Sequence, residues 1–323
     1  MKLSYSLGSL LTIEQVLECS KKLNDLKPNV IWIPETWGME SFSLLSLVSN
    51  QNAYSKIGSS IVNIYSRSPS LIAMGAATVD TISNGRLILG LGTSSKPIVE
   101  EFHGESFVSP LQRMKEYVEI IRLLLTGKKI DYSGQIFSIK NFSLLIKPPR
   151  KRIPIYLAAI NQKMVDLTWG IADGVIFYLR PKHEIKLILE KMQKTRKIES
   201  TVQIITCVHN DADKAISRAK KTIAFYVSVG QVYREFLASN GYKKEVENIF
   251  AEYEQTGLKN NYELVSDSMV RDLCISGTPN DCKKQLDGFY QTGIDLPIIQ
   301  FNPIDDVQES FDLLTTTFSE EIH

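Results

Sequence analysis

The chain has 323 residues, 43% of them hydrophobic and 23% charged, a composition that excludes wholesale disorder. Lysine and arginine number 37 against 36 aspartates and glutamates, and a net charge of +1 argues against a nucleic-acid partner and for a small-molecule ligand. The opening Met1 to Leu7 is too short and polar for a signal peptide, and no stretch nears the roughly 18 apolar residues of a membrane span, so a cytoplasmic protein without membrane contact is expected.

Short apolar or β-branched runs alternate with helical patterns. Leu3 to Leu7 reads as a strand, and Ile13 to Leu26 as a helix opened by a Thr12–Gln15 capping box. Asn29 to Pro34 is a continuous apolar run of buried-strand type, with a helix from Phe42 to Asn50 behind it. Ile57 to Ile64 is the third strand, and Pro69 to Ser83 a helix with proline in its first turn. Asn84-Gly85 ends that helix, and Arg86 to Gly92 is the fourth strand.

The rhythm then breaks for a helix, Pro110 to Leu125, and an excursion, Ile130 to Ile146. It resumes with strand Ile153 to Ala158, a helix near Lys163 to Gly170, strand Gly174 to Tyr178, a helix from Pro181, strand Val202 to Val208 and a helix from Asp211 towards Val229. Gln231 to Lys259 is charged and helix-biased, so one domain over 1–323 is expected, with insertions near 126–152 and 230–263. The chain closes with helix Asn280 to Gln291, strand Pro297 to Phe301 and helix Asp306 to Phe318.

Eight strands, each followed by a helix apart from the insertions, imply parallel pairing. An open doubly wound sheet calls for a glycine fingerprint after strand one, and Gly8-Ser9-Leu10-Leu11 lacks it. The even spread of units favours closure, and 323 residues lie within the roughly 200 to 400 of such barrels. The expected fold is an eight-stranded parallel (β/α)8 TIM barrel with insertions.

In such a barrel the loops after the strands build the site. Pro34-Glu35-Thr36-Trp37 puts a carboxylate past a buried strand; Glu35 is either a functional acid or an acceptor for nearby backbone amides. Gly90 to Ser95 is a glycine- and hydroxyl-rich strand end, a tight turn or a loop that lets amides approach an anion. Ala158-Ala159-Ile160-Asn161 offers amides ahead of a helix, or merely close strand-on-helix packing. The basic run Lys147 to Arg152 precedes its strand and reads as a solvated loop. His103, His183, His209 and His323 are too dispersed for a metal centre, though His103 follows the fourth strand. The four cysteines, Cys19, Cys207, Cys274 and Cys282, form no CxxC pair and read as buried thiols of a reducing compartment. The residues alone say a barrel that binds an anionic small molecule.

The segments Val30 to Glu35, Ile61 to Pro69 and Ala77 to Gly92 resemble the bacterial-luciferase-like superfamily, as do Phe102-His103-Gly104, Pro110-Leu111 with Arg113, Pro154 to Ala159, Ala172-Asp173-Gly174 and Gly277-Thr278-Pro279. The likeness is strongest to its coenzyme F420 branch, which includes methylenetetrahydromethanopterin reductase. It implies a deazaflavin at the strand-end mouth and hydride transfer to or from a small organic substrate. It also implies a bulged third strand with a non-prolyl cis peptide, aligned here at Ser60-Ile61, supporting the cofactor ring. Thr36, Ser59, Ser60, Ile61 and Asn63 would contact the cofactor, with Gly92, Thr93, Ser94, Ala158, Ala159 and Ile160 on its phosphate and tail and Phe177 and Tyr178 close by. Glu35 becomes the candidate proton donor, a half-buried carboxylate beneath a ring. Family members pair through helices beside the barrel, which makes a homodimer the default.

Two positions depart from the branch. Glu35-Thr36 stands where many deazaflavin enzymes carry Asp-His, and Ser6 where the pterin reductases set an acid in strand one, which leaves the substrate open. A monooxygenase using FMN and oxygen is the alternative within the superfamily; a barrel that stores or senses a flavin-like ligand is the reading from another class.

Overall fold

A computed structural model describes residues 2–150 and 152–319. Met1, Lys151 and residues 320–323, His323 among them, lie outside the described residues. The chain divides into two compact units, Leu7–Ile176 and Met1–Ser6 with Phe177–His323.

In the first unit the strands Val30–Ile33, Lys56–Ser59, Leu87–Gly92 and Ile155–Ala158 pair in that order, all parallel, with residues 174–176 of the strand Gly174–Tyr178 next to the last. The central runs are apolar on both faces because helices cover them: Val30–Ile33 and Leu87–Gly92 are buried throughout. The helix Ile13–Leu26 starts with the expected capping box, Thr12 accepting from the Gln15 amide and Gln15 from the Thr12 amide, and buries Val16, Cys19, Ser20 and Leu23 at i, i+3, i+4 and i+7. Ser41–Gln51, Pro69–Ile82, Pro110–Leu124 and Gln162–Ile171 complete the helices. The excursion is an antiparallel hairpin, Ile130–Ser133 with Ser138–Phe142. It is tied to the helix Pro110–Leu124 through Glu116, whose carboxylate accepts from Gln112 and from the amides of Gln135, Ile136 and Phe137.

One expectation is corrected here. Arg150 and Arg152 are not merely solvated. Arg150 pairs with the fully buried Asp80, and Arg152 shares Asp173 with Arg122. Those acids are far off in the chain, so the basic run looks unpartnered in sequence.

In the second unit Leu296–Phe301 lies between Ser4–Ser6 and Glu199–Val208, again all parallel. Cys274–Gly277, a strand the sequence did not announce, joins the last four residues of Glu199–Val208. The charged stretch after residue 230 does fold as helices, Gln231–Leu237 and Lys243–Thr256, whose Leu237, Val246 and Ile249 pack with Ile223 and Val227 of the helix Ala212–Val229. The two sets of strands are those of a closed eight-stranded parallel (β/α)8 barrel, the expected fold class.

All four cysteines are buried thiols, Cys19 in the first unit and the other three in the second. Among the described residues no helix is long and apolar enough to cross a membrane.

Candidate functional site

The third strand is broken. Gly58 pairs with Ile88 and Val62 with Leu91, so four steps on one strand match three on its neighbour, which is a β-bulge. The Ser60-Ile61 peptide bond within it is cis, where the resemblance aligned one. The bulge is held from both sides. Ser60 donates its amide to the Ile33 carbonyl at 3.0 Å, and the Ser59 hydroxyl both donates to the Gly90 carbonyl and accepts from the Gly90 amide, each at 2.9 Å.

Two glycines make room for it. A Cβ on Gly90 would lie 1.9 Å from the Ser59 carbonyl oxygen; one on Gly92 would lie 2.5 Å from Ile61 Cδ1 and 3.4 Å from Ala158 Cβ. Gly90 and Gly92 are therefore packing glycines, and Ile61, Gly92 and Ala158 converge on one spot. Thr93 and Ser94 continue from there half-buried, Ser94 in the left-handed region at φ +57°. Ala159 is buried, its amide donating to the Ile176 carbonyl, and Ile160 is half-buried ahead of Asn161, which caps the helix Gln162–Ile171.

Two polar atoms of the bulge are buried and make no hydrogen bond, Ser60 Oγ and Asn63 Nδ2. Asn63 spends its Oδ1 on the Tyr65 amide at 2.9 Å. Buried donors are rarely left unpaired, so these are where a polar ring edge would be met. They suit a hydrogen-bonding heterocycle.

Glu35 has neighbours the sequence did not reveal. Arg67 grips it with two bonds, Nη1 to Oε1 at 2.7 Å and Nη2 to Oε2 at 2.8 Å, and the Ser41 amide donates to Oε2 at 3.1 Å. Arg67 also reaches Glu40 at 2.7 Å. Burial works against the charge on Arg67, but the two carboxylates outweigh it and hold the guanidinium above its usual range. Burial likewise opposes the charge on Glu40, and the amides of Ser43 and Phe42 together with Arg67 bring it below the carboxylate norm. Tyr117, pushed up to about 12 by burial, donates to the Arg67 carbonyl at 2.5 Å. Sequence reasoning missed Arg67 and Glu40. The available signal was local: Arg67 precedes the Ser68 cap, and Glu40 is itself the N-cap of Ser41–Gln51. Thr36 follows Glu35, half-buried.

Phe177 and Tyr178 belong to the second unit. Phe177 is fully buried, its ring 4.8 Å from the Arg180 guanidinium. Tyr178 meets Tyr226 and Tyr233 edge-on at 5.0 and 5.7 Å. His103 caps the short helix Ile98–Phe102 against the Phe102 ring, and no group of three or more histidine, cysteine or acidic side chains among the described residues could hold a metal ion.

A sequence model of the luciferase-like monooxygenase family matches residues 3–296. The chain is 32% identical over 278 residues to a 5,10-methylenetetrahydromethanopterin reductase of Archaeoglobus fulgidus, covering 81% of this chain and 82% of the relative. It is 25% identical over 321 residues to a putative coenzyme F420-dependent oxidoreductase of Mycobacterium tuberculosis, covering 87% and 89%. The fold matches that of the coenzyme F420-dependent tetrahydromethanopterin reductase of Methanopyrus kandleri with a TM-score of 0.87 at 21% identity, over 100% of this chain and 99% of that one.

Proposed function

The chain belongs to the luciferase-like monooxygenase family, and from that membership we propose that it is a coenzyme F420-dependent oxidoreductase transferring a hydride between the deazaflavin and a small organic substrate. The observation that carries the reading is the bulge seated on Gly90 and Gly92 with Ser60 Oγ and Asn63 Nδ2 unspent. The named relatives, two of them described as F420-dependent, support it.

When bound, a deazaflavin supplies two-electron hydride chemistry at its central ring; the protein supplies position and shielding. Under this reading Ser59, Ser60, Ile61 and Asn63 seat the ring, with Thr36 at its rim. Gly92, Thr93, Ser94, Ala158, Ala159 and Ile160 take the phosphate and tail. Glu35 acts through Arg67, fixing the loop that carries Thr36, and is a positioning residue rather than a lone acid.

The test is a pair of titrations of the purified protein, with F420 and with FMN, followed by cofactor fluorescence. F420 should bind at least tenfold more tightly. The reverse ranking moves the reading to the FMN monooxygenase, and F420 binding without turnover over a broad donor and acceptor panel moves it to a ligand sensor.

A further inference from the structure

Among the described residues of the first unit, one arginine lacks the oxygen partners that the others have. Arg67 holds Glu35 and Glu40, Arg150 holds Asp80, and Arg122 and Arg152 share Asp173. Arg86 donates to the backbone carbonyls of Ser49, Ser55 and Ser83. Arg113, half-buried near the start of the helix Pro110–Leu124, forms no ion pair among the described residues, and its Nε is buried with no hydrogen bond. Its surroundings are aromatic. The guanidinium carbon lies 4.5 Å from the centre of the Tyr65 ring and 5.2 Å from that of Phe137. Such rings favour a cation but lend it no oxygen acceptor. Of the five N–H groups of a guanidinium, one goes to the Tyr117 hydroxyl, which itself donates to the Arg67 carbonyl. Glu105 acts on Tyr117 from an exposed position and does not pair with Arg113.

The two rings do not depend on Arg113 for their places. Tyr65 donates its amide to Asn63 of the bulge and its hydroxyl to the Val108 carbonyl at 2.8 Å, and Phe107 stacks on its ring at 5.1 Å. Phe137 is held through its amide by Glu116. A cation half withdrawn from water, with N–H groups unspent, fits an anion, and the planar fork of a guanidinium matches the paired oxygens of a carboxylate or phosphate. Resting on the oxidoreductase reading, we infer that Arg113 binds the substrate and selects one that carries an oxyanion, a carboxylate or a phosphate. A neutral amide offers the fork one oxygen and no charge, and an ammonium is repelled. The link through Tyr65 to Asn63 places this selection on the same strand end as the bulge.

Benzoate, phenyl phosphate and benzamide share a ring and differ in charge, which makes them the probes. Their dissociation constants are measured by ligand-observed NMR on the full chain, with and without F420. Benzoate or phenyl phosphate should bind at least tenfold more tightly than benzamide, and the tighter of the two identifies the oxyanion. Arg113→Gln removes the charge; it should raise the Kd of that anion at least tenfold, as expected for a hydrogen bond to a charged group, and leave the benzamide and F420 Kd values unchanged. Arg113→Lys keeps the charge without the fork and should raise the anion Kd about threefold. A thermal melt of each variant reports whether it folds. Benzamide binding as tightly as both anions, no binding of any probe, or a folded variant of either kind with unaltered anion affinity overturns the inference. So does a variant that loses F420 affinity instead, because Arg113 would then hold the cofactor. Failure of F420 to bind the unaltered protein sinks the cofactor reading, and the anion preference of the cofactor-free protein still decides this one.

Discussion

Gly90 has no side chain because the Ser59 carbonyl already fills the place where one would begin. Backbone cannot swing aside as a side-chain tip can, so Gly90→Ala must displace the bulge. The expected cost is about 1 to 3 kcal/mol, read as a fall of several degrees in Tm, with F420 affinity down at least tenfold. Gly92→Ala meets side-chain atoms rather than backbone, Cδ1 and Cγ1 of Ile61 and Cβ of Ala158, and should do less on both counts. The residues alone offered a tight turn or a binding loop at this glycine cluster. They could not show that its glycines answer a bulge on the neighbouring strand, since that is set by pairing across about 30 residues. Glu35 was legible as a carboxylate at a strand end, but Arg67, 32 residues on, was not legible as its partner. Ser60 and Asn63 came from the family resemblance rather than from their own chemistry.

Helix ends were the clearest elements to read, because caps are local. Thr12 with Gln15, Ser68 with Pro69, and Asp211 each stand where a side chain captures the first amides. The strand Cys274–Gly277 escaped notice because the helix Asp267–Leu273 runs into it with no turn residue between them. Glu116 was equally silent: a glutamate within a helix usually faces water, but here it is buried and organises the hairpin. Burial alone would raise its pKa, yet the Gln112 amide and three backbone amides outweigh that and leave it below the carboxylate norm. A carboxyl with a lowered folded pKa lends stability above its unfolded pKa, and that contribution disappears as pH falls through the folded value. Glu116→Gln should therefore cost about 1 to 3 kcal/mol near neutrality. Thermal melts of the two proteins should converge as the buffer is taken below about pH 4; a gap independent of pH would mean the carboxylate is not the anchor.

At the scale of the whole molecule, alternation of buried strands with helices was enough to name the fold class, because parallel strands must be separated by crossovers and eight evenly spread units close. Which loops meet at the mouth was beyond reach, since that depends on how each strand end bends. A ligand that binds only the folded chain stabilises it by mass action, about 2.7 kcal/mol at a hundredfold excess over Kd. F420 at that ratio should raise Tm by several degrees in differential scanning calorimetry, with FMN at the same concentration doing less.

The sulfur atoms offer a way to watch the two units come apart separately. Cys19 lies in one and Cys207, Cys274 and Cys282 in the other, each sealed from solvent, with burial pushing the Cys207 thiol up to about 12. An alkylating reagent reaches a sealed, protonated sulfur only when its surroundings open. Mass spectrometry of chains labelled for increasing times thus keeps two clocks: one modification on the peptide bearing Cys19, and three on the peptides from the other unit. If the units open together the clocks agree, and if one loosens first they diverge.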